Sequence, residues 1–230
     1  MSFWRITGWV IIVSSLFLVN SQAATIVGSF HDLVHIDDVH TKNWTSVYNN
    51  YGEICVYCHT PHGANENVSV LWNRNLPDSL SYTLYQSSTL SSSPQPPSPV
   101  SLLCLSCHDG TIAVDTILNI PSTGVTLGSK HGSMKVPYET VYDCAACHSG
   151  WIRDFSGTFL GTDLSNNHPV SIEYSASDPR LKPLPLANGL KLVDNKVECV
   201  SCHDVHNPQY RPFLRIPDTG SALCYTCHNK

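Results

Sequence analysis

The sequence is poor in charge. Asp, Glu, Lys and Arg make up only 13% of its 230 residues, and the formal net charge is −5. No basic cluster stands out, so there is no electrostatic footprint for nucleic acid and none for an anionic membrane surface. Methionine is nearly absent, with Met134 the only one beyond Met1. A family of sites needing several thioether ligands is therefore excluded. Long apolar runs are also missing. The longest, residues 8–19, holds 12 uncharged residues, too few to cross roughly 30 Å of hydrocarbon as a helix, which takes about 20. Long periodic helices find no room among 15 Pro and 13 Gly. The spacing predicts loops, short helices and a few short strands, one of them at residues 25–30.

The short N-terminal apolar run reads instead as the core of a secretory signal. Arg5 precedes it, and Ser21-Gln22-Ala23 follows with small residues where cleavage requires them. Cleavage after Ala23 divides the chain into a signal peptide, 1–23, and a mature domain, 24–230, with no membrane anchor. The mature part is 207 residues (230 less 23) with a formal charge of −6 once Arg5 is lost.

What the chain has in quantity is cysteine and histidine, ten and twelve respectively. An exported chain with ten Cys would ordinarily be a disulfide framework. The spacing argues otherwise. Every Cys belongs to a C-x-x-C pair, and every pair is followed at once by His. The five units are Cys55/Cys58/His59, Cys104/Cys107/His108, Cys144/Cys147/His148, Cys199/Cys202/His203 and Cys224/Cys227/His228. This is the attachment signature of c-type haem. Two thiols a tight loop apart add to the two vinyl groups on one porphyrin edge, and the next residue presents its imidazole to the iron. Zinc sites would consume the Cys in fours, or in twos with two His, and would not need His directly after each second Cys. Redox C-x-x-C motifs do not come in fives, and disulfides have no use for the His.

Five proximal ligands leave seven His: His31, His35, His40, His62, His131, His168 and His206. One Met cannot supply five irons, whereas seven His can, so bis-His ligation throughout is expected, without an open coordination position. His62 and His206 each follow a proximal His by three residues. A side chain there emerges on the same side of the ring, so each is expected to reach the iron of an adjacent haem. His131 and His168 lie in loop-like surroundings marked by Gly132 and Pro169. Of His31, His35 and His40, one is needed if the other four are used. The remaining two are open to two readings, as surface residues or as a ligand to a neighbouring subunit's haem.

The motif starts are 49, 40, 55 and 25 residues apart, so no fixed period makes this a solenoid. Residues 87–99 are rich in Ser and Pro, and residues 181–190 hold Pro183, Pro185 and Gly189; both are expected to be irregular. The core is expected to consist mostly of porphyrin, with Trp72, Phe155 and Phe159 packed around it, and the chain without haem is expected not to fold. Asn43 and Asn67 stand in glycosylation sequons and are expected to be unmodified.

The segments around the motifs resemble the multihaem cytochromes exported by metal-respiring bacteria, and among them the small extracellular cytochromes that polymerise into haem-wired filaments. The resemblance is carried by Gly28-Ser29-Phe30-His31-Asp32-Leu33, by Cys55 to Gly63 with Leu71-Trp72-Asn73-Arg74, by Leu103 to Thr111, by Asn167-His168-Pro169-Val170, by Cys199 to His206 and by Leu223 to Lys230. It implies bis-His haems stacked in close pairs, little regular secondary structure, and His31, His62, His131, His168 and His206 as distal ligands. It leaves His35 or His40 for ligation across subunits. One departure stands out: those filament subunits carry four haems and this chain has five motifs. The function implied is electron conduction to extracellular acceptors by a secreted homopolymer fed by redox partner cytochromes, with a soluble periplasmic shuttle as the alternative. An enzyme of the nitrite- or hydroxylamine-converting kind is not expected, because all five motifs have the same form and the chain is short.

Overall fold

The computed structural model describes residues 25–35, 49–122, 124–125 and 158–229. The signal segment, His40, Met134, His131, Phe155 and the third motif (Cys144, Cys147, His148) lie outside the described residues.

Among the described residues regular structure is sparse. The longest element there is helix α1, Pro99–His108, followed by two single-turn helices, α2 (Cys199–Cys202) and α3 (Ala222–Tyr225). Short 3₁₀ turns cover Ile54–Tyr57, Ser79–Ser81 and Thr219–Ser221. Strands β1 (Ile172–Glu173) and β2 (Lys196–Val197) form one antiparallel pair with Ile172 opposite Val197. Most of the other described residues are turn and coil, with isolated bridges such as His59 to Trp72 and His203 to Leu214.

Helix α1 starts where Pro99 occupies the first turn, with φ already set and no amide hydrogen to waste. It stops after His108, because Gly110 takes φ +77° and turns the chain away. The Ser- and Pro-rich stretch is irregular as expected up to Ser98, and Pro99 belongs to the helix. Residues 181–190 are likewise irregular.

The strand expected at residues 25–30 is not formed. Those residues make tight turns: Ser29 N–H donates to Ile26 O (2.9 Å) and Asp32 N–H to Ser29 O (3.1 Å). Gly28 sits at φ +73°, and its amide donates to the Asp32 carboxylate at 2.8 Å. A left-handed glycine and an acceptor four residues on favour a turn over an extended ladder.

Among the described residues the aliphatic core is small. Tyr82, Leu102, Leu105 and Leu164 are buried together, with Leu76, Leu84, Leu160 and Val170 against them. Much of the remaining interior is polar, and Arg74, Asn73, Asp32, Asp115, Glu198, Ser101, Ser106 and Ser171 are all fully buried. One buried set joins α1 to α2. Glu198 accepts from Ser101 Oγ (2.5 Å) and Ser171 Oγ (2.8 Å), Ser171 Oγ accepts from Ser98 N–H (2.7 Å), and Ser101 Oγ accepts from Cys199 N–H (3.2 Å). The second and fourth motifs are thereby held against each other. Close backbone approach is also needed at Gly52, where a Cβ would lie 2.8 Å from the carbonyl oxygen of Gly124.

Candidate haem sites

Each described C-x-x-C-H segment is one turn of chain. In the first, fourth and fifth, the His amide donates to the carbonyl of the first Cys: His59 to Cys55 (2.7 Å), His203 to Cys199 (3.0 Å) and His228 to Cys224 (2.9 Å). The second forms the last turn of α1. Residues three apart on such a turn share a face, so both thiols point the same way. The eight described Cys are free thiols.

A bracket opposite fixes each turn. In the first motif, Asn73 N–H donates to Cys58 O (2.8 Å), Asn73 Nδ2 to Val56 O (2.7 Å) and Thr60 N–H to Leu71 O (2.9 Å). The fourth motif repeats this pattern. Arg215 N–H donates to Cys202 O (2.8 Å), Arg215 Nε to Val200 O (2.7 Å) and Asp204 N–H to Phe213 O (2.7 Å). Leu71 and Phe213 occupy matching places and both have positive φ, +54° and +60°. In the fifth motif Lys182 N–H donates to Cys227 O (2.8 Å).

The brackets also hold the imidazoles. Nδ1 of His59 donates to Val70 O (2.7 Å), of His108 to Thr158 O (2.8 Å), of His203 to Pro212 O (2.9 Å) and of His168 to Pro169 O (3.0 Å). A ring whose Nδ1 carries the donated proton keeps its Nε2 lone pair for a metal, and the carbonyl partner raises its basicity.

Three pairs of imidazoles lie close together, one nearly parallel (22°) and two edge-on (90° and 69°). His59 and His206 have ring centroids 6.2 Å apart, His31 and His108 6.1 Å, and His168 and His228 6.4 Å. Two metal–nitrogen bonds of about 2 Å and two ring radii of about 1 Å come to about 6 Å, the span of one metal ion between two imidazoles. Each pair combines one motif His with one His distant in sequence. Among the described residues no group of three or more His, Cys, Asp or Glu side chains converges on one point, as a tetrahedral site would demand. A pair of thiols beside two imidazoles about one metal ion's span apart is the donor set that haem iron takes.

His62 is exposed, and among the described residues no imidazole is paired with it or with His203. His31 is largely buried. Burial first, then the neighbouring His108, His206 and His203, hold its pKa down at about 4. Its Nδ1 is buried without a hydrogen-bond partner. His35 is half-exposed, and its Nδ1 lies 3.0 Å from the Asp32 carboxylate. That carboxylate takes the role the carbonyls play for the other rings.

The motifs also approach one another through their thiols. Burial raises Cys58 to about 12, with Cys107 adding to it. Cys104 and Cys199 share a hydrogen bond that raises Cys104 and lowers Cys199. Burial, then Cys202, raise Cys227 to about 11. The first, second, fourth and fifth motifs thus lie near one another in that order. Trp72 packs edge-on to His59 with centroids 5.8 Å apart. Sequence reasoning missed the brackets, since their residues carry no motif of their own. Only Leu71-Trp72-Asn73-Arg74 stood out, Trp72 as an expected core aromatic and the other three through resemblance.

A family model described as "Doubled CXXCH motif" matches residues 191–230, which hold the fourth and fifth units. No curated protein matches the chain. The motif is that of the multihaem c-type cytochromes and indicates covalent haem attachment and haem-based electron transfer. Among the described residues no helix is long and apolar enough to cross a membrane.

Proposed function

We propose that the chain is an exported electron conduit with five covalently attached haems, one at each C-x-x-C-H. The observation that carries this reading is the set of three close imidazole pairs at 6.1–6.4 Å beside thiol pairs. On it, His59 and His206 hold the haem at Cys55/Cys58. His108 and His31 hold the one at Cys104/Cys107, and His228 and His168 the one at Cys224/Cys227. His62 and His131 complete the haems whose proximal ligands are His203 and His148. Each haem supplies one iron that takes up and releases a single electron. The chain's own groups fix the imidazoles, would offer two of them to each haem and crowd successive sites together. Electron exchange follows, and substrate chemistry does not. The protein is therefore not an enzyme.

The same reading makes the protein secreted, delivering electrons from partner cytochromes to acceptors outside the cell. His35 favours a homopolymer over a soluble periplasmic shuttle. Its ring is pre-oriented by Asp32, half-exposed and surplus to the internal pairs. Electron microscopy of secreted and cell-sheared fractions tests this. Uniform filaments with haem absorbance are expected. Small single particles confined to the periplasm would leave only the shuttle.

A further inference from the structure

Arg74 is the largest fully buried side chain among the described residues, and its charge is not paired. Nη1 donates to Val114 O (2.6 Å), and Nη2 to Ser106 O and Ala113 O (2.9 Å each), while Nε is buried with no partner. All its partners are carbonyls, so the full positive charge stays inside the protein. The two nearby buried carboxylates are engaged elsewhere. Asp109 accepts from Tyr82 Oη (2.5 Å) and from Thr111 N–H (2.8 Å) and Oγ1, and Asp115 accepts from Asn49 N–H (2.7 Å). Arg215, in the fourth motif's bracket, differs: it is partly exposed and meets Asp204 at 3.0 Å.

Position gives the unpaired charge its meaning. Ser106 lies between Cys104 and Cys107, and Asn73, next to Arg74, grips the Cys55/Cys58 turn. A bis-imidazole ferric haem core carries one net positive charge and its ferrous form none, so a fixed cation in a low dielectric disfavours the ferric state.

We propose that Arg74 is a tuning residue that raises the reduction potentials of the haems at Cys104/Cys107 and Cys55/Cys58. The step is the transfer of one electron from a neighbouring ferrous haem, which becomes ferric, to the ferric iron of one of these haems, and no bond forms or breaks. A second feature acts at Cys104/Cys107 alone. His31, opposite His108, has no acceptor for Nδ1, so it donates less electron density than the carbonyl-bound rings and stabilises ferric iron less. That haem is the higher of the two.

The inference rests on the haem reading above. The test is spectroelectrochemical titration of holoprotein carrying Arg74→Gln or Arg74→Lys, with haem content and low-spin EPR signals recorded in parallel. Arg74→Gln lowers two of the resolved potentials, one more than the other, and Arg74→Lys restores them at least in part. Unmoved potentials in an Arg74→Gln protein with full haem content overturn the tuning role, as does an Arg74→Lys protein that behaves like Arg74→Gln. Should Arg74→Gln fail to mature, Asp109→Asn is the second probe. It removes the charge opposing Arg74 and raises one potential, and the absence of a shift overturns the inference. Missing haem at Cys55/Cys58 or Cys104/Cys107 in the unmodified protein would instead sink the haem reading itself.

Discussion

The first and fourth motifs use the same bracket on loops of different length. In the first, His59 meets Val70 and Cys58 meets Asn73. In the fourth, His203 meets Pro212 and Cys202 meets Arg215. The two differ in what surrounds the bracket. Asn73 and Arg74 are sealed inside the protein, and Asn73 also takes Asn119 N–H on its Oδ1 at 2.8 Å. Arg215 does the corresponding work from a partly exposed position, its charge answered by Asp204. One local solution to holding a thiol pair and an imidazole is thus set in two electrostatic environments. Local geometry can be repeated while the charge around it is varied, and in a chain of similar cofactors that variation is the means of making them unequal.

Breaking the equivalence at the ligands gives the largest effect. His206→Ala removes the ring opposite His59, so one iron in five should turn from low-spin to high-spin in the EPR spectrum of the oxidised protein. If the two brackets are equivalent, His62→Ala does the same to the iron of His203. A silent His62→Ala would show that the fourth haem takes its ligand elsewhere.

Removing the brackets' polar side chains comes next. Asn73→Ala leaves Val56 O and Asn119 N–H short of a buried partner, a cost of about 2–3 kcal/mol. Arg215→Ala exposes its carbonyl partner to water and should cost about 1 kcal/mol. Denaturant midpoints of the holoproteins check the order, and equal losses would contradict the buried-versus-exposed distinction.

The smallest effect concerns the N-terminal segment. Burial alone would raise the Asp32 carboxyl, but the Gly28 and His35 amides and the His35 ring outweigh it, so its pKa is lowered in the folded protein. Its contribution is present above the ordinary carboxylate range and is lost as pH falls through the depressed folded value. Lower protection of the Gly28 amide against exchange, relative to its intrinsic rate at the same pH, is the expected sign in acid but not at neutral pH. Asp32→Asn should show that lower protection already at neutral pH.

The C-x-x-C-H units were legible in the sequence because each packs both thiols and one imidazole into five consecutive residues, and the family match at residues 191–230 holds two of them. The scarcity of regular structure was legible from Pro and Gly. The pairing of distal ligands was not. His206 meets His59 and His31 meets His108 only after the chain has folded back across many residues, and no local pattern encodes that. The mistaken strand at residues 25–30 has a similar origin. Apolar residues there suggested extension, while the Asp32 carboxylate, an acceptor just beyond the segment, settles the turn. Arg74 reads in sequence as one more charged residue, and only its burial without a counter-ion sets it apart.

The central claim is that opposed imidazoles saturate every iron. Low-temperature EPR with spin quantitation on the oxidised native protein, alongside iron content per chain, tests it most directly. The account predicts five low-spin ferric haems per chain and no high-spin component. A high-spin signal in the unmodified protein, or fewer than five irons per chain, would contradict it.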